Sequence, residues 1–310
     1  MFDTYSVYVN FQEASMDTKS KATWRDPALG AQRELDLPQG TILCHETGSG
    51  PPVVFVHGLL VNANLWRKVV SKLAPGFRCV TLDLPLGSHI RPMPAGTDLS
   101  TPALAEMVAD AIEALGLEDL TLVGNDTGGA ICQLVVTRRP ERIGRLVLTP
   151  CDYRDNFPPA LFRYLAAAAR VPGALKAIAA PLRIRAARRL PIAYGWLATG
   201  ALDPVAGDSY VLPSSTIPGV QADLRSAISG IDTRYTNDAA DRLWEFASPA
   251  LIAWASRDKF FPRAHAEQLA RDLPDSRLEF VSDSRTFVAE DQPGRLAELI
   301  AGFVREPVSV

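Results

Sequence analysis

An aspartate stands where a strand-to-helix elbow would present a reactive side chain. The frame is Gly124-Asn125-Asp126-Thr127-Gly128, and a glycine two residues to either side of Asp126 permits a turn tight enough to push its side chain outward. The apolar strand Leu120-Thr121-Leu122-Val123 leads in. Gly128-Gly129-Ala130-Ile131-Cys132-Gln133-Leu134-Val135 leads out as a buried helix. A carboxylate there can attack saturated carbon to form an alkyl ester, or accept a proton, but it is a poor nucleophile for acyl transfer. The positive end of the following helix favours the charged form, so Asp126 is expected to be an anion at neutral pH. The plainer reading is that Asp126 only caps that helix.

Other residues able to do chemistry fall at the ends of apolar runs. His57-Gly58 follows Val53-Val54-Phe55-Val56, with Trp66-Arg67 nine and ten residues beyond the histidine. Asp258 lies in Trp254-Ala255-Ser256-Arg257-Asp258-Lys259-Phe260-Phe261-Pro262, and Thr286-Phe287-Val288-Ala289-Glu290-Asp291-Gln292-Pro293 precedes the last helix. Asp152 stands just beyond Leu146-Val147-Leu148, either as a site acid or as the cap of the next helix. There are four histidines. His45 falls in an early strand with a surface or structural role, and His265 falls on a helix face turned to solvent. His57 reads as a brace for its loop. His89, in the loop Asp83-Leu84-Pro85-Leu86-Gly87-Ser88-His89, is either a site residue or part of the loop's own structure.

These residues need a scaffold, and the hydrophobic rhythm supplies one. Gln32 to Glu46 reads as a strand pair closing at Gly48-Ser49-Gly50-Pro51-Pro52. The runs Val53–Val56, Cys79-Val80-Thr81-Leu82 and Leu120–Val123 then alternate with helical stretches. Leu104, Met107, Val108, Ala111, Ile112 and Leu115 recur with a period of about 3.6 residues until Gly116 stops that helix. The alternation breaks after Leu148 and resumes at Leu251-Ile252-Ala253-Trp254 and Leu278-Glu279-Phe280-Val281. A final helix carries Leu296, Leu299, Ile300 and Phe303. This predicts an α/β fold: a mostly parallel central sheet with helices on both faces, an inserted helical cap, and a site at the carboxyl ends of the strands. The expected division is a core of residues 31–151 and 247–310, a cap of residues 152–246, and a loosely ordered arm at residues 1–30. Arg183, Arg185, Arg188 and Arg189 in the cap read as a solvated helix face rather than an anion site.

Taken in order, the His-Gly turn, the Trp-Arg pair, the Gly-x-Asp-x-Gly elbow, the Asp258 loop and the tail before Pro293 resemble the α/β-hydrolase superfamily. Within it they resemble the capped branch of haloalkane dehalogenases and epoxide hydrolases with Asp nucleophiles, over roughly residues 35 to 305. The resemblance implies Asp126 as nucleophile, the backbone N–H groups of Leu59 and Thr127 as the oxyanion hole, and Asp258 as the acid that orients a catalytic imidazole. It places that imidazole seven residues before Pro293, where this chain has Thr286. A hydroxyl cannot serve as a general base near neutral pH. Haloalkane dehalogenases carry a halide-binding Trp where Thr127 stands, and many carry an Asn where Leu59 stands, so dehalogenation is disfavoured. Epoxide opening would need a cap hydroxyl, for which Tyr153, Tyr164, Tyr194, Tyr210 and Tyr235 are available. The expectations are therefore an enzyme acting on a small to medium apolar substrate, either epoxide hydrolase-like or non-hydrolytic (lyase, isomerase or cyclase), or else a binding protein that keeps the pocket without catalysis.

The bulk numbers narrow the class. The chain has 310 residues, 47% hydrophobic and 22% charged, with a net charge of −3, which gives no electrostatic case for nucleic acid or an anionic membrane. No apolar run approaches the about 18 to 20 residues of a membrane span. The first 21 residues lack signal-peptide order, so a cytoplasmic protein is expected. Cys44, Cys79, Cys132 and Cys151 lie in or beside apolar runs without metal-ligand spacing and read as reduced core residues. No metal cluster or phosphate-binding glycine loop appears, so no cofactor is implied.

Overall fold

A computed structural model describes residues 24–306 of the chain. Eight strands form one sheet in the order β1-β2-β4-β3-β5-β6-β7-β8. The first two, β1 (Ala31–Leu37) and β2 (Gly40–Thr47), pair antiparallel, and β2 is antiparallel to β4 (Arg78–Asp83). From β4 onward the sheet is parallel, through β3 (Pro52–Val56), β5 (Leu120–Asp126), β6 (Ile143–Cys151), β7 (Ala250–Ala255) and β8 (Ser276–Val281). The central strands read as continuous apolar runs because helices cover both faces, and Val53 to Val56 are wholly buried.

One face is covered by α2 (Thr101–Ala114) and α3 (Thr127–Arg138), and the other by α1 (Arg67–Leu73), α10 (Val288–Asp291) and α11 (Pro293–Arg305). Helix α3 is buried from Thr127 to Thr137 because two glycines let its first turn press into the sheet. A Cβ on Gly128 would run into the carbonyls of Val56 and His57, and one on Gly129 into Cys151. On the opposite face, Arg67 forks onto Glu290, joining α1 to α10; both side chains are buried. Such a pair holds two elements in register, since removing one partner would strand a buried charge.

Between β6 and β7 the described residues form helices and no strand: α4 (Arg163–Ala169), α5 (Ala174–Ala179), α6 (Pro204–Thr216), α7 (Pro218–Ser229) and α8 (Thr233–Ala240), with short irregular turns between α5 and α6. Arg188 departs from the expected solvated face. It is buried and paired with Asp208, whereas Arg183, Arg185 and Arg189 are exposed. Beyond β7, α9 (Arg263–Asp272) leads to β8.

Of the arm expected to be loosely ordered at residues 1–30, residues 1–23 lie outside the described residues. Residues 24–30 are held against the core: Arg25 donates to Asp83 at 2.9 Å, the Asp26 N–H donates to Asn64, and Leu29 is buried. All four cysteines are free thiols in the core. No described helix is long and apolar enough to cross a membrane.

Candidate active site

Asp126 ends β5 with φ 55° and ψ −132°, a conformation that L side chains rarely adopt. It occupies the N-cap position of α3, yet its side chain makes no capping hydrogen bond, so the plain capping reading is set aside. Gly58 of the neighbouring loop is obligatory there, because any Cβ at that position would collide with the Asp126 carboxyl. The backbone N–H groups of Leu59 and Thr127 act on the carboxyl itself.

The parallel sheet places the ends of four adjacent strands side by side, and each delivers one polar residue. Asp126 at the end of β5 pairs in register with Cys151 of β6, which puts Asp152 immediately beside it. Thr127 Oγ1 donates to Asp152 Oδ2 at 3.2 Å, while Asp152 Oδ1, fully buried, has no partner among the described residues. After β7, Asp258 Oδ1 accepts from the Phe260 and Phe261 N–H groups at 2.7 and 2.8 Å. After β8, Thr286 Oγ1 donates to Asp258 Oδ2 at 2.9 Å. The backbone of Thr286 is also tied to the elbow, since Asn125 Nδ2 donates to its carbonyl at 2.8 Å, as well as to Thr149 Oγ1 and Pro150 O. Asn125 was not singled out from the sequence, although its place inside the elbow frame was the available signal. Thr286 thus joins Asp258 by its side chain and the elbow by its backbone.

Of the three carboxyls Asp152 is fully buried, while Asp126 and Asp258 keep partial exposure, and each is raised in pKa by its surroundings. Burial raises the Asp258 pKa, against the pull of three backbone N–H groups and the Thr286 hydroxyl. Burial and then the charge of Asp258 raise Asp126 to about 7, opposed only by the N–H groups of Thr127 and Leu59. Burial and then the charge of Asp126 push Asp152 well above the usual carboxylate range, opposed by one hydroxyl. All three carboxyls are thus raised, and Asp258, with the most hydrogen-bond donors, has the strongest opposing pull toward the charged form. This corrects the expectation of an ordinary anion at Asp126. The helix N-terminus does favour the charge, but enclosure and a neighbouring carboxylate outweigh it.

Asp126, Asp152, Thr127 and Leu59 face one cavity of about 210 Å³. Its walls are apolar, from Leu59 and Leu60 across to Phe162, Leu165, Ile192 and Leu224. The histidines are engaged elsewhere. His57 is buried, accepting from the Leu84 N–H at Nε2 (3.0 Å) and facing the Gly58 carbonyl with Nδ1 (2.8 Å), so its proton sits on Nδ1; burial holds its pKa down at about 4. His89 Nε2 meets Asp223 Oδ2 at 3.0 Å and does not line the cavity. His45 is buried beside Asp83. His265, expected to face solvent, is half-buried against the ring of Tyr153. Of the five tyrosines considered, Tyr164 and Tyr194 reach the cavity. The Tyr194 hydroxyl is committed to the Leu60 carbonyl at 2.7 Å, and that of Tyr153 to Asp272.

The raised pKa of Asp126 has a consequence for stability. Its folded value, about 7, lies above its ordinary value of 3.8, so between those pH values the folded protein retains a proton that the unfolded chain releases. Stability conferred by that proton is present at low pH and lost as pH rises through about 7. Urea unfolding of wild type and Asp126→Asn at pH 4, 5.5 and 8 should therefore show the variant gaining on wild type across the series. A difference independent of pH would mean that Asp126 titrates normally.

Residues 51–293 match the alpha/beta hydrolase fold family. The chain is 26% identical over 274 residues to haloalkane dehalogenase 2 of Mycobacterium tuberculosis, covering 86% of this chain and 93% of that protein. Two solved structures share the fold: haloalkane dehalogenase DbeA from Bradyrhizobium elkani (TM-score 0.71, 21% identity, 88% of this chain and 97% of that one) and an alpha/beta hydrolase fold protein from Burkholderia ambifaria (TM-score 0.74, 22% identity, 87% and 97%). With the family matching most of the chain and the elbow built as described, this protein belongs to the alpha/beta hydrolase fold family.

Proposed function

We propose that the protein is an enzyme that moves protons on a small to medium apolar organic substrate, with Asp126 as general base and Asp152 as the acid that returns a proton. The reaction class is then a lyase, isomerase or cyclisation chemistry rather than hydrolysis. The observation that supports this most is that no histidine lines the cavity that Asp126 and Asp152 face, and His57 and His89 are hydrogen-bonded to other groups. An ester formed on Asp126 would have no base to activate the water that must cleave it, and losing such a base costs about 10²–10⁴-fold. Proton transfer has no such second step. A carboxyl held at about 7 exchanges protons well near neutral pH, and the apolar walls suit an apolar substrate enclosed by the helical segment. The buried thiols fit the reducing cytoplasm to which we assign the protein.

The test is hydrogen exchange. A panel of small apolar ketones, enones and alkenes is incubated in D2O with wild type and Asp126→Ala, and deuterium uptake is followed by NMR. Wild type should exchange at least one compound, with the rate falling by about 10²–10⁴-fold in the variant. Saturable binding with no exchange would instead support a binding protein that keeps the pocket without catalysis.

A second reading, epoxide hydrolase-like attack by Asp126, is favoured by Tyr164. It lines the cavity, and its hydroxyl has no hydrogen-bond partner among the described residues, leaving it able to polarise a ring oxygen. On that reading wild type mixed with epoxides accumulates a covalent adduct on Asp126 by intact mass, and Thr286→His, placed against Asp258, converts the adduct into turnover. No adduct in either protein would exclude nucleophilic attack by Asp126 on those epoxides.

A further inference from the structure

The whole-chain charge of −3 hides a sharp segregation. Between residues 156 and 202 there are seven arginines and lysines and no aspartate or glutamate. Of these, Arg188 and Arg185 share the single carboxylate of Asp208. Arg170, Lys176, Arg183 and Arg189 are exposed and make no ion pair among the described residues. The same segment gathers exposed apolar side chains. Eight of the ten large hydrophobic residues that stand exposed in the described structure fall between Leu161 and Trp196. The most open are Ile184 at 66%, Val171 at 57% and Ile192 at 54%. Ile184 sits directly between Arg183 and Arg185, and Leu190 and Ile192 follow Arg189.

We propose that this face docks on an anionic lipid surface. Its chemistry is that of an interfacial segment: apolar side chains that enter the acyl boundary, interleaved with cations that meet anionic headgroups. A nucleic-acid surface would meet aliphatic side chains where stacking or polar groups are needed. A second copy of the chain would set like charges against each other. The cavity bears this out, because Tyr164, Ile178, Leu190 and Ile192 both line it and stand exposed. Its mouth therefore opens within the patch, toward the apolar phase that the patch would contact. The inference stands independently of the reaction assigned to Asp126.

Vesicle co-sedimentation of the full chain tests it, using phosphatidylcholine vesicles with or without phosphatidylglycerol. The protein should partition onto the phosphatidylglycerol vesicles and release as salt is raised, because the attraction is screened. R183E/R189E should weaken partitioning by about tenfold or more. I184S/I192S should weaken it at constant charge. Both pairs are at exposed positions, and circular dichroism would verify that the variants fold. No partitioning onto either vesicle, or partitioning unchanged in both variants, would overturn the proposal. So would a concentration-dependent dimer, seen by sedimentation velocity, that the same substitutions dissolve.

Discussion

Charge repulsion among carboxyls beside an apolar-walled cavity is the constraint on which this site depends. Asp126, Asp152 and Asp258 arise from the ends of adjacent parallel strands, so the sheet itself sets them close together. Burial weakens the screening of their charges, because Asp126 and Asp152 face a cavity with apolar walls from the segment between β6 and β7. Protons must then be held, and hydrogen bonding decides where. Asp258 has the most donors, while Asp152 has only the Thr127 hydroxyl and an orphaned oxygen. Asp126, between these limits, is poised to exchange a proton near neutrality.

The rest of the structure maintains that arrangement. Glycines at 58, 124, 128 and 129 let β3, the elbow and α3 approach more closely than any side chain would allow. Asn125 ties the elbow to the backbone of Thr286 and to β6. His57, neutral and buried, fixes the loop that brings the Leu59 N–H to the carboxyl. Asp258 holds the Thr286 hydroxyl, and its charge acts on Asp126 directly.

Much of this was legible in the sequence, for local reasons. The elbow follows from two glycines around an aspartate, and the strands from short apolar runs. The protonation state of Asp126 was not legible. It depends on burial by residues between 158 and 231, which are far away in sequence and joined by irregular turns whose packing has no periodic signature. His265 was misjudged for the same reason: its partner, Tyr153, comes from across the β6–β7 segment. Which tyrosine reaches the cavity was equally a matter of tertiary packing. The run of cations without acids was visible in the sequence all along, but a whole-chain sum conceals a local asymmetry.

The central claim is that burial and the nearby charge of Asp258 raise Asp126 so that it ionises near neutral pH. Carbon-13 NMR titration of the aspartate carboxyls, with Asp126 assigned by Asp126→Asn, measures this directly. One carboxyl should titrate at about 7, vanish in that variant, and move to lower pH in Asp258→Asn. If every aspartate carboxyl that titrates does so below about 5, in the ordinary range, the account of this site is wrong.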